Sequence, residues 1–327
     1  MKKLIFTIIL IFIIFNLTFA QKDTSFLKKG EIYGDLFLNT NYHIENNQAS
    51  FRFNRLHFAY KYNFTEKLYF NGMLEAAKED YIPAGDYNNI VNLFEFCLGY
   101  NSTKFDAKLG LIGTEFNQMQ EQLWKHRNID KVFADKYGFA PTNDFGFLLI
   151  YKPAKFINLD ISITNGEGHK SIQMDSAFRY AIGTKLILSK FFIRAYTDFV
   201  YFRSFQQINF IGIAGFSGNK IAFGTEWNQQ FNSNNNNNYQ RYGLSAYFSI
   251  NFTEKLQLFS RYDFIRSNMP ENFTENWNII NDGDLIIAGM KYNIIDKISI
   301  APNYRAWIAN NNSDINSFIF LDLEIKF

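Results

Sequence analysis

The sequence predicts an all-β fold: a transmembrane, antiparallel β-barrel of about sixteen strands, with short periplasmic turns and long extracellular loops. Three observations carry this prediction. The chain opens on an export signal, apolar and polar residues alternate from end to end, and the alternating segments are joined by connections that are tight and long in turn.

Lys2 and Lys3 precede an almost unbroken apolar run over 4–15, and Thr18-Phe19-Ala20 follows just ahead of Gln21. A positive end, a short apolar stretch and small residues at a cleavage point make a secretory signal. The run is short for a membrane-spanning helix of about 20 residues, and no basic stop-transfer segment follows it. Residues 1–20 are expected to be a signal peptide and 21–327 a single outer-membrane barrel domain. The chain carries 33 basic and 31 acidic residues. Without Lys2 and Lys3 the two are equal, so nothing points to a nucleic-acid partner.

No later apolar run is long enough for a transmembrane helix, yet 47% of residues are hydrophobic and 19% aromatic, with 38 Phe and 19 Tyr. A soluble protein would need one very large core to hide them. A lipid-facing barrel wants them outside, with Tyr and Trp at the two interfaces. Five prolines suit long strands. The one cysteine, Cys97, permits no intrachain disulfide and reads as a small buried apolar side chain.

The predicted strands, in order, are 30–40, 50–63, 67–78, 89–101, 104–112, 143–152, 156–164, 177–188, 191–203, 208–216, 220–230, 240–251, 255–266, 284–292, 297–307 and 316–327. In the second, Leu56, Phe58, Tyr60 and Tyr62 oppose Arg55, His57, Ala59 and Lys61. In the fifth, Phe105, Ala107, Leu109 and Leu111 oppose Asp106, Lys108 and Gly110. In the seventh, Ile157, Leu159, Ile161 and Ile163 oppose Asn158, Asp160, Ser162 and Thr164. In the twelfth, Leu244, Ala246, Phe248 and Ile250 oppose Gly243, Ser245, Tyr247 and Ser249. In the fifteenth, Ile298, Ile300, Pro302 and Tyr304 oppose Ser299, Ala301, Asn303 and Arg305. The last strand puts Ile319, Leu321, Leu323, Ile325 and Phe327 on one face and Asp322, Glu324 and Lys326 on the other. The second faces are polar or small, as a wet lumen requires. An exported chain ending on an aromatic carboxylate, Phe327, resembles the C-terminal signal read by the barrel-assembly machinery.

Joins at 63–66, 101–103, 153–155, 189–190, 217–219, 251–254 and 293–296 are tight. Those at 41–49, 79–88, 113–142, 165–176, 231–239, 267–283 and 308–315 are long, and only 204–207 breaks the rule. Periplasmic turns and extracellular loops alternate in this way. The hexapeptide Asn-Phe-Thr-Glu-Lys-Leu occurs at 63–68 and again at 251–256, both at periplasmic turns, which reads as reuse of one good turn. The polar tip from Ser233 through Asn238 reads as a mobile loop. In hydrocarbon every backbone polar group must pair within the protein, so the sheet closes. About sixteen strands leave a lumen too wide for side chains to fill.

The longest loop, 113–142, is too apolar to lie in water unpacked: it holds Trp124, Phe133, Tyr137 and Phe139 among Lys125, Arg127, Lys131 and Lys136. Either it folds into the barrel and narrows the pore, with those four cations setting the local field, or it packs outward on neighbouring loops. The run Trp124-Lys125-His126-Arg127, followed by Tyr137-Gly138 and Asp144-Phe145-Gly146, together with Arg179 and Arg261-Tyr262-Asp263, resembles the phosphate-selective porin O/P family of outer-membrane proteins. That resemblance implies a 16-stranded homotrimeric channel in the bacterial outer membrane, passing anions or other small hydrophilic solutes by passive diffusion. A clear lysine ladder is missing from this chain.

On the inward faces the basic candidates are Arg55, His57, Lys61, Lys108, Arg179, Lys185, Arg194, Arg241, Arg261, Lys291, Arg305 and Lys326. The acidic ones are Glu75, Glu95, Asp106, Asp160, Asp198, Glu226, Asp263, Asp322 and Glu324. The basic excess favours anions, since rings of Arg and Lys select them; pairing across strands would instead make these charges structural. Of the basic set, Arg55, Arg179, Arg261 and Arg305 join the four loop cations as constriction and selectivity candidates. The four histidines, His43, His57, His126 and His169, have no G-x-S-x-G nucleophile and no zinc spacing around them, so neither an enzyme, a metal nor a cofactor is expected. The competing reading is a binding or secretion-associated barrel with a blocked lumen. The expected partners are outer-membrane lipid, the assembly machinery and small solutes or ions.

Overall fold

The computed structural model describes residues 29–77, 90–171, 173, 176–202, 205–268, 278, 281–310 and 314–327. The expected signal peptide lies outside them. Sixteen antiparallel strands close into one barrel, each paired with its neighbours in sequence and the first with the last. They are β1 (Gly30–His43), β2 (Gln48–Asn63), β3 (Leu68–Ala77), β4 (Ile90–Asn101), β5 (Phe105–Gly113), β6 (Asn143–Ala154), β7 (Ile157–Thr164) and β8 (Arg179–Leu188). The second half is β9 (Phe191–Phe202), β10 (Phe205–Ser217), β11 (Ile221–Phe231), β12 (Gln240–Asn251), β13 (Leu256–Ser267), β14 (Gly283–Ile295), β15 (Ile298–Ala309) and β16 (Ile315–Lys326). The seam runs from Asp35 opposite Lys326 to His43 opposite Phe318. At its foot the Phe327 amide donates to Gly34 O and Phe327 O accepts from the Gly34 amide, so the last residue completes the ladder. Among the described residues every strand is paired on both edges, which is what hydrocarbon demands.

Period-2 alternation sets the two faces as expected. Phe51, Val91, Leu109, Ile182, Tyr201 and Ile319 stand exposed on the outside, while Asn71, Asp160, Asn209 and Asp322 are buried on the inside. The duplicated hexapeptide makes the same turn twice. Thr65 Oγ1 accepts from the amides of Lys67 (3.2 Å) and Leu68 (2.9 Å), and Thr253 Oγ1 accepts from those of Lys255 and Leu256 at the same distances. Between Ser233 and Asn235 the asparagine-rich tip forms a 3-10 turn, with Asn232, Asn234 and Asn238 in the left-handed region that asparagine tolerates. Its stem is tied down rather than loose: Ser233 is buried and donates to Gln230 Oε1.

Two expectations need correction. The inward faces are not uniformly polar or small. Tyr196, Ile211, Ile213, Phe259, Ile265, Leu285 and Ile287 also point inward, and all are buried in one cluster with the long β5–β6 loop. That loop also holds helix, which alternation alone did not foresee: α1 (Glu115–Trp124) and α2 (Phe133–Lys136). The apolar core of this barrel is therefore inside the lumen, between one wall and a single loop.

Candidate functional site

Helix α1 forms because Phe116, Met119, Gln120, Leu123 and Trp124 fall on one face at helical spacing, and that face is buried. It ends where Lys125 turns into the left-handed region (φ 56°) and donates its amide to Glu121 O at 2.9 Å. The barrel wall is cut back to receive it. A Cβ on Gly215 or Gly224 would sit 2.6 Å from a Leu123 methyl, and one on Gly243 would sit 2.4 Å from the Phe133 ring. Trp124 packs against Tyr247 and Phe259 and donates its indole N–H to Asp130 O at 2.9 Å.

From the foot of the lumen the chain climbs back along the same wall, held by its carbonyls. Arg261 donates to Lys131 O, Arg241 to Tyr137 O (2.8 Å), and Asn209 and Gln230 both to Phe139 O at 3.0 Å. Thr114 clasps the loop base through Pro141 O and Thr142 O. His126 is enclosed by Trp124 and Phe259 with both ring nitrogens unpartnered; burial, aided by the charges of Lys291 and Lys125, pushes its pKa down to about 3. Burial would push the Asp130 carboxyl up, but Lys136, Arg261 and Arg305 around it hold it well below the usual carboxylate range.

The loop occupies the β9–β15 side, and open cavities lie at the two mouths. At the periplasmic end a cavity of 660 Å³ is lined by Lys125, Lys220, Lys255, Lys291, Lys297 and Lys326, against Glu254, Asp296 and Glu324. At the extracellular end a cavity of 490 Å³ is lined by Arg55, Lys131, Lys170, Arg179 and Arg241, against Glu75, Asp135 and Glu167. Between loop and wall, Arg55 pairs with Glu75 at 2.9 Å, while His57 lies 3.4 Å from both Glu75 and Asp35. The loop turns Glu121, Arg127 and Asp135 toward them. Arg127 pairs with Asp135 (2.9 Å) and lies 3.8 Å from Glu121. The two sides are near enough for Arg55 and Arg127, and for His57 and Glu121, to feel one another's charge.

The predicted residues thus divide. Arg55 on the wall and Arg127 on the loop stand on either side of the gap between them, and Lys131 and Arg179 join Arg55 around the extracellular cavity. Lys125 is apart from these, at the other mouth, donating to Ser217 Oγ at 2.9 Å. Lys136 is paired with Asp130 (2.8 Å), Arg179 with Asp198, and Arg305 with Asp322. Arg261 is fully buried against Asp263, over the Trp124 and Tyr247 rings. It anchors the loop and does not face the passage. Glu121, Asp135 and Asp35 were missed. The first two lie in a helical loop that period-2 reading does not reach, although the Glu121-to-Arg127 interval next to Trp124 was a signal of a folded, charged segment. Among the described residues no cluster of His, Cys, Asp and Glu could hold a metal.

Solved structures share this architecture. OprB of Pseudomonas putida aligns with a TM-score of 0.69 at 8% identity over 94% of this chain and 97% of its own. Its fold is that of the outer-membrane porins. An anion-selective porin from Comamonas acidovorans aligns at 0.63, 9% identity, over 91% and 99% of the two chains. OmpT of Vibrio cholerae, in a trimer form, aligns at 0.61, 11% identity, over 91% and 99%. No protein-family model and no curated sequence matches this chain. A closed sixteen-stranded antiparallel barrel whose outward face is apolar belongs in the bacterial outer membrane.

Proposed function

We propose that this protein is a passive channel for small hydrophilic solutes and ions, with a mild preference for anions. The observation that carries the reading is the division of the lumen: one loop packs dry against one wall, while charged and amide side chains line the rest and open into a cavity at each mouth. At both mouths cations outnumber carboxylates, which draws anions in. The likeness of the fold to an anion-selective porin supports the same preference, while the lysine ladder expected of a phosphate-selective O/P porin is missing. On this reading the chain is exported by its first 20 residues, Phe327 serves as the assembly signal, and three copies associate.

Purified protein in a planar bilayer tests the reading. We expect reproducible ohmic steps, and a reversal potential in a KCl gradient that favours chloride. Replacing both cations, Lys125→Glu with Arg127→Glu, should lower the chloride-to-potassium permeability ratio by about two-fold or more. A folded protein that passes no current fits the blocked-lumen scaffold instead, and an unchanged ratio in the charge swap removes Lys125 and Arg127 from selectivity.

A further inference from the structure

We infer that the extracellular mouth holds a binding site for a sugar acid, a hydroxylated solute carrying one carboxylate. This rests on the channel reading above and names a solute class for it. The cavity at that mouth measures 490 Å³, within the range of about 300–1,000 Å³ usual for small-molecule sites. Five cations line it, Arg55, Lys131, Lys170, Arg179 and Arg241, against three carboxylates, Glu75, Asp135 and Glu167. Most of these are matched. Arg55 pairs with Glu75 at 2.9 Å, and His57 and His169 lie against the same carboxylate. Asp135 takes Arg127 from its own loop, and Arg179 takes Asp198 of β9. Lys170 and Glu167 share the β7–β8 loop and cancel in the sum. Lys131 and Arg241 are left, and neither has an ion-pair partner among the described residues.

Arg241 is held rigid with its charge unanswered. Its Nε donates to Gln230 Oε1 at 2.8 Å, Nη1 to Tyr137 O at 2.8 Å and Nη2 to Gly138 O, all neutral acceptors. The guanidinium also lies over the Phe139 ring, 4.7 Å from its centroid. Three of its five N–H groups are used, so two remain for a ligand, the number a carboxylate takes. Lys131 adds a second charge from the inserted loop, where Arg261 holds its carbonyl. The uncharged polar lining is amide: Asn165, Gln207 and Asn234. Gln207 Oε1 accepts from the Asn234 amide at 2.9 Å, which leaves its side-chain N–H groups to donate. Amides donate and accept as hydroxyls do, and a bare inorganic anion would have no use for them. Phe94, Pro141 and Val200 add apolar surface for the C–H face of a sugar ring. An amino acid fits less well, because each lining carboxylate is already matched by a cation and its ammonium would find no open partner.

The test is calorimetric titration of the detergent-folded, full-length protein with glucuronate, against glucose, acetate and phosphate, alongside block of the KCl current when glucuronate is added at the extracellular face. Glucuronate should bind about five-fold or more tighter than each control. Arg241→Lys, which keeps the charge and loses the fork, should weaken it about ten-fold. Lys131→Gln, on the loop and outside the barrel ladder, should weaken it about five-fold, and it keeps the test informative if the strand variant disturbs the loop. Acetate or phosphate binding as tightly as glucuronate would mean a bare cation site and overturns the inference, as does glucuronate binding that neither variant moves. A conducting protein that does not bind glucuronate overturns the inference alone. Glucuronate binding to a protein that passes no current overturns the channel reading and leaves the site standing.

Discussion

The two sides of the lumen wall are built from the same strands and do opposite work. Along β9–β15 the inward positions include Tyr196, Ile211, Ile213, Tyr247, Phe259, Ile265, Leu285 and Ile287, buried under α1, α2 and their connection. Along β16 and β1–β8 the inward positions include many amides and charges, among them Asn39, Asn71, Glu75, Asp160 and Asp322, with apolar side chains such as Phe37 and Phe320 and the small group of Cys97, Ile112 and Leu148 between them. The difference teaches that a barrel too wide to fill with its own side chains can still own a core, provided one loop supplies the missing half. The wall under the loop buries apolar side chains on its inward face, interleaved with the charges and amides, such as Arg261, Asp263 and Asn209, that hold the loop. The wall across from it keeps the alternation, with a more polar inward face.

Breaking the anchor of the dry side should have the largest effect. Arg261→Met leaves Asp263 buried without its cation and frees the Lys131 carbonyl. We expect a loss of about 3–5 kcal/mol, read as a lower urea midpoint of the detergent-folded barrel. Next, filling the socket for Leu123 with Gly215→Leu and Gly224→Leu should cost roughly 1–3 kcal/mol of loop docking while the closed ladder persists. Single-channel conductance should then rise about two-fold or more, because the lumen is otherwise unfilled. Unchanged conductance with a folded barrel would mean the loop does not limit the passage.

The smallest effect is one of pH. His126 is held neutral when the loop is docked, with its pKa at about 3, whereas free of the loop's packing it returns to its ordinary 6.5. The undocked state therefore binds more protons below 6.5. Docking is fully stabilised above that value and weakens progressively as pH falls toward 3. Between pH 7 and pH 5 we expect a loss of roughly 1–2 kcal/mol, visible in the urea midpoint and absent in His126→Phe.

Much of this was legible in the chain because lipid and water impose a two-residue rhythm on every strand. The outward set around Phe58, Leu159 and Leu321, the doubled Thr65 and Thr253 turns, and the closing role of the last strand all follow from that rhythm. The inserted loop was half legible: Trp124, Phe133 and Phe139 demanded a partner, but which wall supplied it did not show. The signal lay in strands apolar on both faces, as in Leu285-Ile286-Ile287-Ala288. The ion pairs between loop and wall were hidden for three physical reasons. Glu121 belongs to a helix face, a bulge at Phe94 breaks the rhythm of β4, and His169 reaches Glu75 from a loop whose path no periodicity encodes.

The most direct test of the divided lumen is chemical access. In a Cys97→Ser background, Asp35→Cys on the wet wall and Ile287→Cys beneath the loop are compared during bilayer recording with a charged, water-soluble thiol reagent. Asp35→Cys should react within the passage and change the current, while Ile287→Cys should stay protected. Rapid reaction at Ile287→Cys with none at Asp35→Cys would contradict the divided lumen.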